Sequence, residues 1–392
     1  MTKKVFFFLV SSLLVFFLLE GLASSLSVFF KLFSRSESPA SVSTQYNKDL
    51  GWIGVPNFYE KDFYDPGVYL RTNAQGFRNN QDFTVQAPPG KLRIICSGDS
   101  VTFGSGVRNE DTWCQLLETM DPRLQTINMA QAGYGVDQMY LWYLRAGAAL
   151  GHDVHLFAFV TDDFRRMELK SFSGYGKPIL QMDQGRLVAG NVPVPREPAF
   201  FHWWVRHSPQ LSELRSLSAL AHLLEKLSSG RTRAAALGGA GEDQRLIVAN
   251  MIESLEAANR QKHSTLIFVY LPTRADYFPD EAILAWRRFL EEETAKRGVV
   301  FIDLLTNFQE LSLADMEKLF ICADSSQYFA TVKGHLTKAG HEYVAKQLYE
   351  SLIAMPGFAS RLTAVARDRV QFGSAAAPQS SGLGGAESAS SP

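Results

Sequence analysis

Five short apolar runs constrain this chain more than any other feature: LRIICS (92–97), LQTINMA (124–130), VHLFAFV (154–160), STLIFVYL (264–271) and VVFIDLL (299–305). Each is rich in β-formers and nearly unbroken in apolar character, as strands covered on both faces are. Helical segments near 110–120, 136–149 and 279–297 separate most of them. This alternation predicts a flavodoxin-like, three-layer α/β/α fold with a five-stranded parallel sheet in the order 2-1-3-4-5. The third and fourth runs are about a hundred residues apart, far beyond a usual crossover, so residues 168–262 read as a long insertion. It contains AFFHWWVRH (199–207), a predicted helix over 210–227 and the break GRTRAAALGGAG. Two readings of its aromatics are open: a wall or lid at the strand C-termini, where ligands bind in such sheets, or plain packing onto the core.

Outside this region the chain changes character. Between Lys4 and Lys31 the sole charged residue is Glu20, a window long enough for a spanning helix. A cleaved signal peptide also fits, with small residues at Ala23 and Ser25. The apolar stretch continues through Phe29, Phe30, Leu32 and Phe33, which favours an uncleaved anchor over residues 1–33. Lys3 and Lys4 place its N-terminus in the cytoplasm and the body outside, periplasmic or extracellular, or secreted if the segment is cut. Residues 34–90 read as an irregular, turn-rich lead-in, 91–356 as the α/β domain, and 357–392 as a disordered tail too poor in large apolar residues to build a core. A formal net charge of −1 gives no electrostatic footprint for nucleic acid. Cys96, Cys114 and Cys322 have no metal-ligand spacing; one pair among them is free to close in an oxidising compartment. Asp153, His155, Asp162 and Asp163 form no ligand pattern either, and no cofactor or metal follows from the residues.

The chemistry lies where the first run ends, in SGDSVTFGSG. A strand entering Gly98-Asp99-Ser100 at the C-terminal edge of a parallel sheet holds a serine where ligands bind, its amide near a helix N-terminus. The competing reading is an ordinary helix cap by Asp99 or Ser100. Far along the chain, GHLTKAGHEYVAKQLYESLI puts His335 just before an amphipathic helix with Thr337 as its cap and Ala339, Val344, Leu348 and Leu352 as its buried stripe. A histidine so held can take a serine proton, whereas His341, inside the helix, reads as structural.

The segments GDSVTFGSGVRNEDTW, INMAQAGYGVDQMYLWYL, VHLFAFVTDDFRR and GHLTKAGHEYVAKQL together resemble the SGNH/GDSL hydrolase family over 92–167 and 264–354. The lead-in LGWIGVPN…LRTNAQGFRNN resembles the segment after the anchor in membrane-attached bacterial members. The resemblance implies Ser100 as nucleophile and first oxyanion N–H, Gly133 as the second donor with Gly135 if the register slips, and His335 as base. Two positions depart from the pattern. The family's oxyanion asparagine falls at Asp162, and an ionised carboxylate cannot donate a hydrogen bond. The family's triad aspartate falls at Val332, leaving a backbone carbonyl or Asp324 to orient His335; Val332→Asp is expected to raise activity if the missing acid limits the base.

The expected function is a serine esterase or O-acyl transfer enzyme acting on acylated glycans, lipids or small esters outside the cytoplasm. The alternative is a catalytically weakened protein of the same fold that binds a glycan or lipid or supports envelope polysaccharide assembly. The expected partners are an ester-bearing substrate and the membrane, with no nucleic acid.

Overall fold

The computed structural model describes residues 3–33, 43–172, 175–196, 241–322 and 332–375. Helix α1 (Lys3–Phe33) precedes β1 (Leu92–Ser97), α2 (Trp113–Met120), β2 (Leu124–Asn128), α3 (Val136–Arg145) and β3 (Val154–Phe159). Then come α4 (Glu242–Arg260), β4 (Thr265–Tyr270), α5 (Glu281–Lys296), β5 (Val300–Asp303), α6 (Lys338–Ala354) and α7 (Pro356–Ala375). The five strands form one parallel sheet in the order β2-β1-β3-β4-β5, as expected.

Alternation along each strand divides the core. Leu92, Ile94 and Cys96 of β1, with Val154, Leu156 and Ala158 of β3, face α2, α6 and α7 through Trp113, Leu117, Val344, Leu348 and Phe358. Ile95, Phe157, Phe159 and Phe268 face α3, α4 and α5 through Met139, Val248, Ile252 and Trp286. Successive side chains on a strand point to opposite faces, so both layers are covered and the runs read as continuously apolar. Thr337 caps α6 by accepting the Gly340 N–H at 3.1 Å. The buried stripe of α6 includes Gly340, His341, Val344, Leu348 and Leu352, while Ala339 is exposed, one position out of phase with expectation.

Two segments are more structured than their composition predicts. The lead-in forms hairpins at 44–54 and 59–71, and its end closes the open edge of β2: Arg78 N–H donates to Asn128 O at 2.9 Å, and Asn128 N–H to Asn79 Oδ1 at 3.0 Å. An unpaired edge strand is thereby blocked. Residues 357–375, expected to begin a disordered tail, continue helix α7, with Phe358 and Leu362 in the core and Arg361 donating to Asp153 O at 2.7 Å. Two large apolar residues one turn apart suffice to dock a helix, a signal that low-complexity sequence further on obscured. Of the insertion, the paired strands 171–172 and 175–176, the hairpin 179–190 and helix α4 are described; the predicted helix 210–227 and the aromatics of 199–207 lie outside the described residues. All three cysteines are free thiols, Cys96 and Cys114 buried and Cys322 exposed. Near the N-terminus, Lys3–Leu22 is apolar and exposed enough to cross a membrane, with mean hydropathy 2.4.

Candidate active site

β1 ends at Ser97, and Ser100 starts a single helical turn, Ser100–Phe103. Gly98 makes the corner possible: a Cβ there would lie 2.2 Å from Thr102 Oγ1. Asp99 caps the turn, accepting the Val101 N–H at 2.8 Å, so the capping reading is correct for Asp99 and compatible with a presented serine. Arg78 of the lead-in, fully buried, fixes the loop that follows by donating to Phe103 O at 2.8 Å, Gly104 O at 2.6 Å, and the carbonyl of Val107.

Ser100 Oγ lies 2.8 Å from His335 Nε2, although the residues are 235 positions apart. The histidine loop is pinned at both sides: Ile321 N–H donates to His335 O at 2.8 Å, Gly334 N–H to Ile321 O at 2.9 Å, and Thr337 N–H to Leu319 O at 2.8 Å. Gly334 turns the chain at φ +81°. His335 Nδ1 is 3.1 Å from Val332 O. A carbonyl only accepts, so Nδ1 carries the proton and Nε2 turns its lone pair to the Ser100 hydroxyl. Burial holds His335 below the ordinary imidazole value; the Asp99 charge and the Val332 carbonyl pull it up, and the Arg166 cation pushes it down. The net direction keeps the ring unprotonated near neutral pH, with Nε2 free to accept a proton.

Among the described residues the partner of His335 Nδ1 is thus the backbone carbonyl of Val332, one of the two orienters expected. Its side chain is 1% exposed and belongs to an apolar cluster with Phe63, Tyr64, Leu70, Phe103 and Ile321. The expectation that Val332→Asp would supply a working acid does not fit this orientation. Asp324 lies outside the described residues.

Asp162 is an ion-paired carboxylate, 2.7 Å from Arg165 Nε and 2.9 Å from Arg166 Nε, its side chain 40% exposed. Burial pushes its pKa up, but the two arginines outweigh that and leave it below the usual carboxylate range. It therefore cannot donate to an oxyanion. Gly133, at φ +82°, is roofed by Phe172 and Trp52, to which a Cβ would approach within 3.0 and 3.5 Å. Its loop is tied to the Ser100 turn by Gln131 N–H donating to Gly98 O at 3.1 Å. Among the described residues neither the Ser100 nor the Gly133 N–H has an acceptor, whereas Gly135 N–H faces Gln138 Oε1 at 3.4 Å. Gly135 is instead a packing position, where a Cβ would lie 2.7 Å from Asp137 Oδ1.

Sequence reasoning missed the charged group joining these loops. Arg166 Nη1 donates to Asp99 Oδ2 at 3.2 Å, Tyr134 O at 3.2 Å and Asp163 Oδ1 at 2.8 Å, and the guanidinium stands 5.2 Å from the Phe172 ring centroid. Burial and the Asp99 charge push Asp163 well up, opposed by Arg166. Burial alone would lower Arg166, but Asp163, Asp99 and Asp162 keep it protonated. Below it, Lys177 and Asp137 form a fully buried pair at 2.5 Å, with Lys177 also donating to Arg166 O at 2.9 Å. The available signal was the i,i+3 and i,i+4 spacing of two aspartates and two arginines in TDDFRR.

No protein-family model matches the chain, and no curated protein matches it. Similar solved structures include a member of the lipolytic G-D-S-L family from Veillonella parvula, at 15% identity, covering 67% of this chain and 100% of that one, TM-score 0.34. A lipase/acylhydrolase from Enterococcus faecalis is 13% identical, covering 67% and 95%, TM-score 0.36. An acetyl xylan esterase is 12% identical, covering 67% and 100%, TM-score 0.38. Overlaps of this size assign no residue and no substrate; the chemistry has to come from the site itself.

Proposed function

We propose that this chain is a serine esterase or O-acyl transfer enzyme, anchored by its N-terminal helix and acting outside the cytoplasm. The observation that carries the proposal is the 2.8 Å contact between Ser100 Oγ and His335 Nε2, with the other ring nitrogen held by Val332 O. Ser100 Oγ attacks the ester carbonyl carbon while His335 Nε2 takes the hydroxyl proton, and the carbonyl becomes an oxyanion facing the N–H groups of Ser100 and Gly133. On collapse the C–O bond to the alcohol breaks and the proton on Nε2 goes to the leaving oxygen. Water or a sugar hydroxyl then gives its proton to His335 and attacks the acyl-serine carbonyl; the bond to Ser100 Oγ breaks and the proton returns from Nε2 to that oxygen.

Losing a triad acid costs up to about 10⁴ in kcat when the imidazole adopts the wrong tautomer. Here the Val332 carbonyl fixes the tautomer, and the Asp99 charge, which favours protonated His335, compensates part of the missing negative charge. The Arg165 and Arg166 guanidiniums are matched by the carboxyl groups of Asp99, Asp162 and Asp163, so the cleft offers an anionic acyl group no net positive field. Uncharged O-acyl groups on glycans, lipids or small alcohols are the substrates this favours. The non-catalytic alternative, glycan or lipid binding by a weakened site, draws its support from the carboxylate at Asp162. The test is hydrolysis of p-nitrophenyl acetate and longer-chain esters by the full chain in detergent. Ser100→Ala and His335→Ala should each lose at least about 10³ in kcat; activity that survives both changes removes the proposal.

A further inference from the structure

Taking the esterase reading as its basis, we infer that Arg166 is a catalytic residue, its Nη2 supplying the oxyanion hydrogen bond that the carboxylate at Asp162 cannot make. The guanidinium is held at two of its three nitrogens. Nε is held by Asp162, and Nη1 by Asp99, Asp163 and the Tyr134 carbonyl. Nη2 has no hydrogen-bond partner among the described residues and is not among the enclosed polar atoms, while the side chain keeps 12% exposure.

Its position fits the role. Nη1 is 3.2 Å from Asp99 Oδ2, which is itself 3.3 Å from Ser100 Oγ, so the group stands two contacts from the nucleophile. Through Tyr134 O it also touches the residue following Gly133, and Phe172 lies against both Gly133 and the guanidinium. Arg166 therefore bridges the two loops that carry the Ser100 and Gly133 amides, one helical turn beyond Asp162. A donor fixed beforehand in a water-poor site needs no reorganisation when charge develops. A guanidinium cannot release its proton, so this donor persists across the working pH range. Its contacts to Asp99 and Asp163 also keep a fork of N–H groups in one orientation, as a flexible ammonium would not.

The experiment compares wild type with Arg166→Lys in the detergent-solubilised full chain, following ester hydrolysis and the rate of labelling by a fluorophosphonate. Lysine keeps a cation against Asp99 and Asp163 but loses Nη2. With an unchanged thermal transition, kcat and the labelling rate should fall by about 10²–10³ while KM changes little. A folded Arg166→Lys that hydrolyses and labels at wild-type rates overturns the inference and leaves the esterase reading standing. A wild type that labels nowhere overturns both. If Arg166→Lys does not fold, the structure of the wild-type Ser100 adduct decides. A phosphonyl oxygen at about 2.7–3.1 Å from Nη2 sustains the role, and one that contacts backbone N–H groups alone refutes it.

Discussion

Val332→Asp should damage this protein rather than repair it. The substitution puts a carboxylate three residues before His335, yet the Val332 side chain points into a cluster of Phe63, Tyr64, Leu70, Phe103 and Ile321. Full burial of a valine contributes about 1.5–3 kcal/mol, which the shorter polar chain forfeits. A carboxyl group among those side chains, even protonated, costs roughly a further 1–3 kcal/mol without a partner. Together these are about 2.5–6 kcal/mol, a large fraction of a marginal stability of about 5–15 kcal/mol, and Tm should fall on the order of 10 °C. Thermal unfolding and urea midpoints measure it, with Val332→Ala as the control. Alanine keeps the carbonyl that holds His335, so stability should drop while kcat per folded molecule stays near wild type. A Val332→Asp protein with wild-type Tm and higher kcat would show that the side chain can reach the histidine, and the account of the orienting carbonyl would be wrong.

Acid should weaken the fold at its buried histidines. Burial holds His155 well below the ordinary imidazole value and lowers His341 to about 3, so the unfolded chain binds protons that the folded one refuses, and stability falls as pH drops below about 6.5. His341 alone should cost roughly 2–3 kcal/mol at pH 4.5, opposed by the raised Asp137 and Asp163, and a fall in urea midpoint between pH 7 and 4.5 no larger in wild type than in His341→Asn would contradict this. Lys177→Met strands the Asp137 carboxylate, one oxygen of which already lacks a partner, and should cost about 3–5 kcal/mol, largely recovered by Lys177→Met with Asp137→Leu; a neutral single variant would refute it. With Lys3 and Lys4 in the cytoplasm, protease added to intact spheroplasts should digest residues 91–356, and protection until lysis would reverse the topology.

The sheet was legible because strands buried on both faces leave unbroken apolar runs, and LRIICS matches β1 residue for residue. Ser100 and His335 were legible because a tight Gly-Asp-Ser corner and a capped amphipathic helix each leave local signals. What orients the base was not, since a backbone carbonyl such as Val332 O has no sequence signature. Arg78 and Arg166 were also hidden. Arg78 reads as one charge in a polar turn, yet it is fully buried against the nucleophile loop. The role of Arg166 depends on Asp99, which is 67 positions away and meets it only after folding.

The most direct test of the central claim is to treat the detergent-solubilised full chain with a fluorophosphonate probe and map the labelled peptide. A working Ser100–His335 dyad predicts a single adduct on Ser100, absent from Ser100→Ala and slowed at least about 10³-fold in His335→Ala. Labelling at another serine, or equal labelling of Ser100 with and without His335, would contradict it.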